Sequence, residues 1–270
     1  MTAGLEAPQV VSAVDGARSG SAVGADRPVA PTVAAPETPR PIADRLPRPV
    51  REALAGLVRG ATRGLFRVLT RTTVTGADNV PATGGVILAF NHLGYLDGPL
   101  LFALAPRPDV TPVVASVIGD KPVERVAVTL AGGIWIARGA SDRAALESAL
   151  GVLEQGRAVA IAPEGKISTT GGLLPAQPGT AFLAVRGNAP IVPVAITGTE
   201  RAWSELRRFR RPRLTLAFGK PVLPAEIAPG KAGRTAAMET LMGRIAGMLP
   251  ARYRGVYGAD GPSRNDGSPA

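Results

Sequence analysis

The 270-residue sequence contains no cysteine and only one histidine, His92. The lack of cysteine excludes disulfide bonds, thiolate nucleophiles and cysteine-ligated metals, and a single histidine excludes a metal site built from several imidazoles. No stretch reaches the ~18 uninterrupted apolar residues of a membrane-spanning helix. The first residues also lack the basic and then apolar pattern of a secretory signal. We therefore expect an intracellular protein that does not cross a membrane.

Acidic residues are too few to balance the basic ones. Lys and Arg together number 31 against 21 Asp and Glu, which gives a net charge of +10. Such a surplus favours anionic partners, which include nucleic acid, anionic lipid and phosphorylated substrates. Aromatic residues are also scarce, with 6 Phe, 2 Trp and 3 Tyr. Because proteins that bind single strands stack bases on aromatic platforms, this scarcity argues against nucleic acid.

Both ends of the sequence predict disorder. Residues 1–43 and 258–270 contain few bulky apolar side chains and show no periodicity, as in the stretch PVAPTVAAPETPRP. Such segments cannot compensate for the entropy lost on folding. The remaining residues, roughly 210, are enough for one sizeable core.

Residues 44–74 have the periodicity of an amphipathic basic helix. Arginine recurs every four residues in this segment, and apolar residues keep a similar step on another side. The arginines are Arg59, Arg63, Arg67 and Arg71, and the apolar residues are Leu54, Val58, Leu65 and Leu69. Two interpretations are open: a helix lying on a membrane surface, or a helix packed on the core with a solvated arginine face.

Residues 75–250 alternate between predicted strands and helices. This pattern predicts a single α/β domain with a mostly parallel or mixed central sheet flanked by helices. The predicted strands are 85–90, 110–118, 133–138, 158–162, 191–198 and the run RLTLAFG from Arg213. The predicted helices are 121–131, 141–156, 179–188 and 231–249.

Polar clusters follow three of the predicted strands, where ligands usually bind in such a sheet. His92 and Asp97 follow the first strand, Arg138 follows the run GIWIA, and Glu164, Gly165 and Lys166 follow AVAIA. Each of these residues alone has an ordinary explanation as a cap, a core residue or a surface ion pair. Their occurrence together at strand ends favours a functional site.

His92 and Asp97 are suited to base catalysis. Histidine exchanges protons near neutral pH, and a carboxylate fixes its tautomer and stabilises the imidazolium that forms. Gly94, Gly98 and Pro99 can supply the turn that brings the two together. The sequence has no G-x-S-x-G nucleophile elbow and no cysteine, so the attacking hydroxyl is expected to belong to the substrate.

Four ordered blocks resemble the glycerolipid acyltransferases, the family of 1-acylglycerol-3-phosphate acyltransferases. The stretch NHLGYLD (91–97) is similar to the family motif N-H-x-x-x-x-D. GGIWIAR (132–138), APEGKIS (162–168) and APIVPVAI (189–196) resemble the second, third and fourth blocks. The similarity spans roughly residues 75–225 and implies the glycerol-3-phosphate acyltransferase fold.

The resemblance implies that His92 deprotonates the acceptor hydroxyl, that Asp97 orients His92, and that the hydroxyl attacks an acyl thioester. The donor would be acyl-coenzyme A or acyl carrier protein, the acceptor a lysophospholipid, and no metal or other cofactor is implied. The enzyme would sit peripherally on an anionic membrane surface at its cytoplasmic face, without binding nucleic acid. The substrate-binding residues implied are Asn91, Gly132, Arg138, Glu164, Gly165, Lys166 and Pro193.

The third block departs from the family pattern. Ala162, Lys166 and Ile167 stand where the family usually has Phe, Thr and Arg. Lys166 can replace the charge of the lost arginine but not its planar, bidentate fork. The acceptor can therefore be 1-acylglycerol-3-phosphate or a related lipid alcohol. A non-catalytic lipid-binding or nucleic-acid-binding protein is the alternative.

Residues 201–213, RAWSELRRFRRPR, combine six arginines with Trp203 and Phe209. Arginine beside aromatic residues suits the interface of an anionic bilayer or the phosphates of coenzyme A. A solvated basic loop is the simpler interpretation.

Overall fold

The computed structural model describes residues 47–116, 122–136 and 143–258, all within one compact unit, Arg40–Ala270. Its described strands form a seven-stranded sheet in the order β1-β7-β6-β2-β5-β3-β4, parallel throughout except for the antiparallel pair β6 and β7. The strands are β1 (Arg71–Thr75), β2 (Val86–Phe90), β3 (Val110–Ala115), β4 (Ile134–Ile136), β5 (Ala158–Ile161), β6 (Ile191–Thr197) and β7 (Arg213–Phe218). The predicted α/β class with a mostly parallel sheet is confirmed. Apart from Gly258, the segments predicted to be disordered lie outside the described residues.

Helices cover both faces of this sheet. One face packs against α4, α5 and α7, and the other against α1, α2 and α6. The described helices are α1 (Arg48–Leu69), α2 (Asp97–Leu104), α3 (Pro122–Leu130), α4 (Arg143–Glu154), α5 (Gly179–Arg186), α6 (Thr199–Leu206) and α7 (Gly230–Met248).

The central strands are apolar on both sides because both faces are covered. Every residue of β2 is buried, and in β6 only the last is not. Ile87 and Ala89 enter one core and Leu88 and Phe90 the other, as the two-residue period of a strand requires. Such continuous apolar runs are typical of buried parallel strands.

Three elements differ from the sequence-based expectation. The predicted helix 44–74 ends at Leu69, because the β-branched run Thr72–Thr75 favours the strand β1. Helix α2 begins at Asp97, although Gly98 and Pro99 suggested a turn. Its Pro99 lies in the first helical turn, where proline is tolerated. Helix α6 occupies the first part of the predicted basic loop.

Helix α1 packs on the domain through a mixed face. Phe66 is its buried anchor, Arg63 Nε donates to the carbonyl of Ala103 at 3.0 Å, and Arg59 donates to the carbonyl of Ala105. Leu57 and Val68 remain 69% and 68% exposed. The helix therefore packs on the core, as one interpretation expected, but directs arginines inward and apolar side chains outward. None of the described helices is long and apolar enough to cross a bilayer.

Candidate active site

The candidate site lies at the edge of the sheet formed by the carboxyl ends of the parallel strands. His92 follows β2, Glu164 follows β5, and Thr199 follows β6. Because β2 is paired in parallel with both β5 and β6, the three loops leave the sheet side by side. The topology thus brings together residues that are far apart in the sequence.

His92 and Asp97 form a hydrogen-bonded pair. His92 Nδ1 lies 2.9 Å from Asp97 Oδ2, and the side chains are 19% and 0% exposed. A carboxylate oxygen can only accept, so Nδ1 carries a proton in this contact, and in the neutral imidazole Nε2 keeps its lone pair. The ring of His92 also packs edge-on against Phe90, with centroids 5.7 Å apart. The pair therefore has the geometry of an oriented base.

The buried carboxylate of Asp97 is fully satisfied by its surroundings. Besides His92, its Oδ2 accepts the backbone N–H groups of Leu93 and Gly94, both at 2.7 Å. Its Oδ1 accepts the hydroxyl of Thr199. Asp97 is also the first residue of α2, where the helix dipole favours a negative charge. These contacts stabilise a buried carboxylate and fix its direction.

Asn91, which was predicted to bind substrate, ties two strands together. Its Nδ2 donates to the carbonyl of Ile196 at 2.9 Å, and its Oδ1 accepts the N–H of Ile196 at 2.7 Å. Both ends of the amide are engaged with β6, and Asn91 is completely buried. It therefore extends the pairing of β2 with β6 and holds the start of the His92 loop.

Glu164 was also expected to contact substrate, but its carboxylate is engaged by the protein. Oε1 accepts the N–H of His92 at 3.0 Å, and Oε2 accepts the N–H of Leu174 at 2.9 Å. Burial raises the pKa of Glu164 to about 6, and it outweighs the opposing effect of these two amides. Glu164 thus acts as a clamp between the His92 loop and the segment around Leu174.

Gly165 and Lys166 lie on the loop beside His92. Gly165 has φ +67°, a left-handed conformation that favours glycine in the tight turn after Glu164. Lys166 is exposed, and the N–H of Ser168 donates to the carbonyl of His92 at 2.8 Å. The ammonium group of Lys166 is therefore available to an anionic group near the His92 loop.

Two other predicted substrate residues are not brought to His92. Gly132 lies in the turn before β4, at the opposite edge of the sheet, because β4 runs parallel to β3. Pro193 lies inside β6, three residues or ~10 Å of strand before Ile196, and packs near Gly219. Arg138 lies outside the described residues, so its role as a phosphate ligand stays a prediction.

The support of the site extends to residues that sequence analysis missed. Thr199 follows Gly198, whose φ is +90° and whose Cβ, if present, would lie 2.2 Å from a backbone oxygen. The hydroxyl of Tyr253 donates to Glu200 Oε1 at 2.6 Å. Tyr253 also accepts the N–H of Leu173 through its carbonyl at 3.0 Å. The spacing within a local motif could not reveal these partners, although Gly198 at a strand end marks a sharp turn.

Within the described ranges, no group of three His, Cys, Asp or Glu side chains is placed to hold a metal ion. The polar groups around His92 are instead arranged to orient one imidazole.

Comparison with known proteins relates this site to a family. Residues 71–197, which include His92, Asp97 and Glu164, match the family model described as Acyltransferase. The chain is 33% identical over 137 residues to a 1-acyl-sn-glycerol-3-phosphate acyltransferase of Cocos nucifera, covering 49% of this chain and 44% of the relative. It is 31% identical over 147 residues to the alpha form of Mus musculus, covering 53% and 51%. The chain thus spans about half the length of these relatives.

The fold also matches a solved structure. The crystal structure of the 1-acyl-sn-glycerophosphate acyltransferase PlsC from Thermotoga maritima superposes with a TM-score of 0.58 at 21% identity. The match covers 74% of this chain and 82% of that one. At this identity the likeness establishes the fold.

Proposed function

We propose that the protein transfers a fatty acyl group from a thioester to the hydroxyl of a lysophospholipid, because residues 71–197 match the Acyltransferase family model. The contact between His92 Nδ1 and Asp97 Oδ2 at 2.9 Å is the observation that carries the proposal. It supplies a base whose second ring nitrogen has a free lone pair. The loop that carries this base is fixed by hydrogen bonds from neighbouring elements.

His92 acts as the general base in the proposed reaction. Nε2 takes the proton of the acceptor hydroxyl as its oxygen attacks the thioester carbonyl. The tetrahedral intermediate then expels the thiolate, which receives the proton from His92, so the products are an ester and a thiol. A positioned base of this kind accelerates a reaction ~10²–10⁴-fold. Asp97 stabilises the imidazolium that exists between the two proton transfers.

The acceptor is proposed to be 1-acylglycerol-3-phosphate or a related lipid alcohol. The relatives from Cocos nucifera and Mus musculus are named for the first of these. The exposed Lys166 beside the His92 loop suits a phosphate group. Ile167 is half-buried and apolar where the family pattern has an arginine, so the charge around the acceptor differs from that pattern.

The remaining features of the proposal follow from the family. The acyl donor is a thioester of coenzyme A or of acyl carrier protein, and no metal or other cofactor takes part. The protein works at the cytoplasmic face of a membrane as a peripheral enzyme. Arg138 is a proposed phosphate ligand. Asn91 and Glu164 hold the loop that carries His92, through Ile196 and Leu174.

The test is release of free thiol from palmitoyl-coenzyme A by the purified protein, with and without 1-acylglycerol-3-phosphate. We expect release that requires the acceptor and is lost in His92→Gln, with phosphatidic acid as the product by mass spectrometry. Release without an acceptor would indicate a thioesterase. If the wild type and His92→Gln are equally inert with several thioesters and lysolipids, the non-catalytic binding alternative replaces this proposal.

A further inference from the structure

The arginine-rich turn after α6 lies at the same edge of the sheet as His92, and we propose that this edge docks onto an anionic phospholipid bilayer. The docking edge consists of this turn together with the carboxyl end of α1 and the start of β1. It comprises Arg67, Arg71, Arg207, Arg208, Phe209, Arg210, Arg211 and Arg213, with Leu65 and Val68 of α1 beside them. The inference rests on the proposed function, since a lipid acceptor gives the bilayer its role.

The sheet topology places the docking edge next to the His92 loop. β7 runs antiparallel to β6, so its first residues lie beside the carboxyl end of β6, where Thr215 pairs with Thr197. β1 is parallel to β7, and Arg71 pairs with Arg213. Since β6 is also parallel to β2, which leads into His92, all these ends share one edge.

Hydrogen bonds join the turn to the end of α1. Arg211 Nη2 donates to the carbonyls of Arg67 and Thr70, at 2.8 and 2.7 Å. The N–H of Arg71 donates to the carbonyl of Pro212 at 2.8 Å. The two bonds from Arg211 satisfy carbonyls that the end of α1 would otherwise leave unpaired. The turn and the helix end therefore form one continuous surface.

Phe209 projects from this surface into solvent. Its side chain is 100% exposed, and its φ of +57° lies in the left-handed region that non-glycine residues rarely adopt. The turn is nevertheless held by backbone hydrogen bonds, since Phe209 donates to Leu206 at 2.9 Å and Arg210 to Glu205 at 3.0 Å. A fixed turn that presents an aromatic ring outward suits insertion at the boundary of headgroups and acyl chains.

The charge of the edge selects an anionic surface. Its seven arginines are all exposed. The nearby carboxylate of Glu200 is engaged by Tyr253, and that of Glu205 is half-buried. Exposed arginines are attracted to anionic lipid headgroups when the two are separated by less than a Debye length.

Exposed apolar side chains favour a bilayer over nucleic acid as the partner. Leu65 and Val68 are 58% and 68% exposed on the last turns of α1. Aliphatic side chains have no partner on a phosphate backbone, whereas the acyl region of a bilayer accepts both them and Phe209. Docked in this way, the protein would present His92 to lipids in the membrane plane.

The test is cosedimentation of the full chain with vesicles of phosphatidylcholine alone or mixed with phosphatidylglycerol. The edge variant is Arg207→Gln/Arg208→Gln/Arg210→Gln, which leaves the structural Arg211 in place. The control is Arg186→Gln/Lys220→Gln/Lys231→Gln, which removes the same charge from exposed sites elsewhere in the chain. Phe209→Ser tests the aromatic contribution without a change in charge.

We expect wild-type binding to require phosphatidylglycerol and to weaken with salt. The edge variant should lose about 10-fold or more in partitioning, the control less than about 2-fold, and Phe209→Ser several-fold. Equal losses in the edge and control variants, or no binding by the wild type, would overturn the proposal. So would tighter retention on single-stranded DNA that the edge variant abolishes.

Activity with a short-chain, water-soluble thioester and lysolipid separates this inference from the proposed function. The edge variant should retain wild-type turnover in that assay, because docking is not needed for dispersed substrates. If the wild type binds vesicles but turns over no substrate, the proposed function fails and the docking surface stands. Thermal unfolding of every variant checks that the fold is retained.

Discussion

Thr199 donates its hydroxyl to Oδ1 of Asp97, while Oδ2 of the same carboxylate holds Nδ1 of His92. The three residues come from the β6–α6 junction, the start of α2 and the loop after β2. One carboxylate thereby joins three elements, and Thr199, only 3% exposed, is a positioning residue for His92.

Substitution of Thr199 should lower turnover more than substrate affinity. In Thr199→Val the Oδ1 atom loses its donor, and a buried acceptor left unpaired costs about 1–3 kcal/mol. We expect kcat to fall about 10-fold with KM little changed, because Asp97 and His92 lose a fixed direction. Steady-state kinetics measure this effect. Thr199→Ser keeps the hydroxyl and should restore most of kcat; if Ser and Val are equally impaired, the hydroxyl has no positioning role.

Asp97→Asn should remove most of the activity while the fold is kept. The N–H groups of Leu93 and Gly94 hold the amide oxygen at the Oδ2 position, but a neutral amide cannot stabilise the imidazolium as a carboxylate does. We expect kcat to fall ~10²–10⁴-fold. Thiol release is the assay, and Asp78→Asn, at an exposed site in a short turn, is the matched control. Equal activity of the two variants would contradict the role of Asp97.

Glu164 should make the free energy of unfolding depend on pH. Its pKa is raised from 4.5 to about 6, so the folded state binds the proton more tightly than the unfolded state. The resulting stabilisation of the folded state by Glu164 is fully present below pH 4.5 and is lost as the pH rises through 6. The free energy of unfolding changes by roughly 2 kcal/mol over this range. Urea unfolding of the wild type and Glu164→Gln between pH 4 and 7 measures it. The difference between the two should shrink or reverse as the pH rises, and parallel curves would refute the prediction.

Lys166 should matter for anionic acceptors alone. Lys166→Ala removes an exposed ammonium beside the His92 loop, so KM for 1-acylglycerol-3-phosphate should rise about 5- to 10-fold. KM for a neutral monoacylglycerol should stay within about 2-fold, because it has no charge for Lys166 to contact. The matched control is Lys220→Ala, another exposed lysine outside the site. A similar rise for both acceptors would show that Lys166 acts on the loop rather than on the phosphate.

Strands β2 to β7 and the His92–Asp97 pair were predictable because their signals are local. Apolar runs such as residues 191–197 have the length of buried strands, and a spacing of five positions with Gly94 in between lets a histidine reach an aspartate. Asn91 and Glu164 lie in motifs that the sequence singled out, but their partners in the fold were not predictable. Those partners are backbone groups of Ile196 and Leu174, and a backbone group carries no signal in the sequence.

Thr199 and the orientation of α1 were missed for a related reason. The partner of Thr199 lies about a hundred positions earlier in the chain, and only the sheet order brings the two together. The periodicity of α1 revealed two faces but not which one meets the domain. Contacts of Arg59 and Arg63 with carbonyls near the end of α2 decide that, and they depend on tertiary packing.

Because Tyr253 lies near the end of the folded domain, the site can be completed only late in the synthesis of the chain. His92 leaves the ribosome early, but the groups that fix its surroundings follow in the order Glu164, Thr199 and Tyr253. Tyr253 comes after the last long helix and holds both Glu200 and the segment of Leu173. A nascent chain that ends within α7 therefore contains both His92 and Asp97 but lacks the contacts that Tyr253 makes around the site. Competence for catalysis should arise only when the final turns of the domain have emerged and folded back.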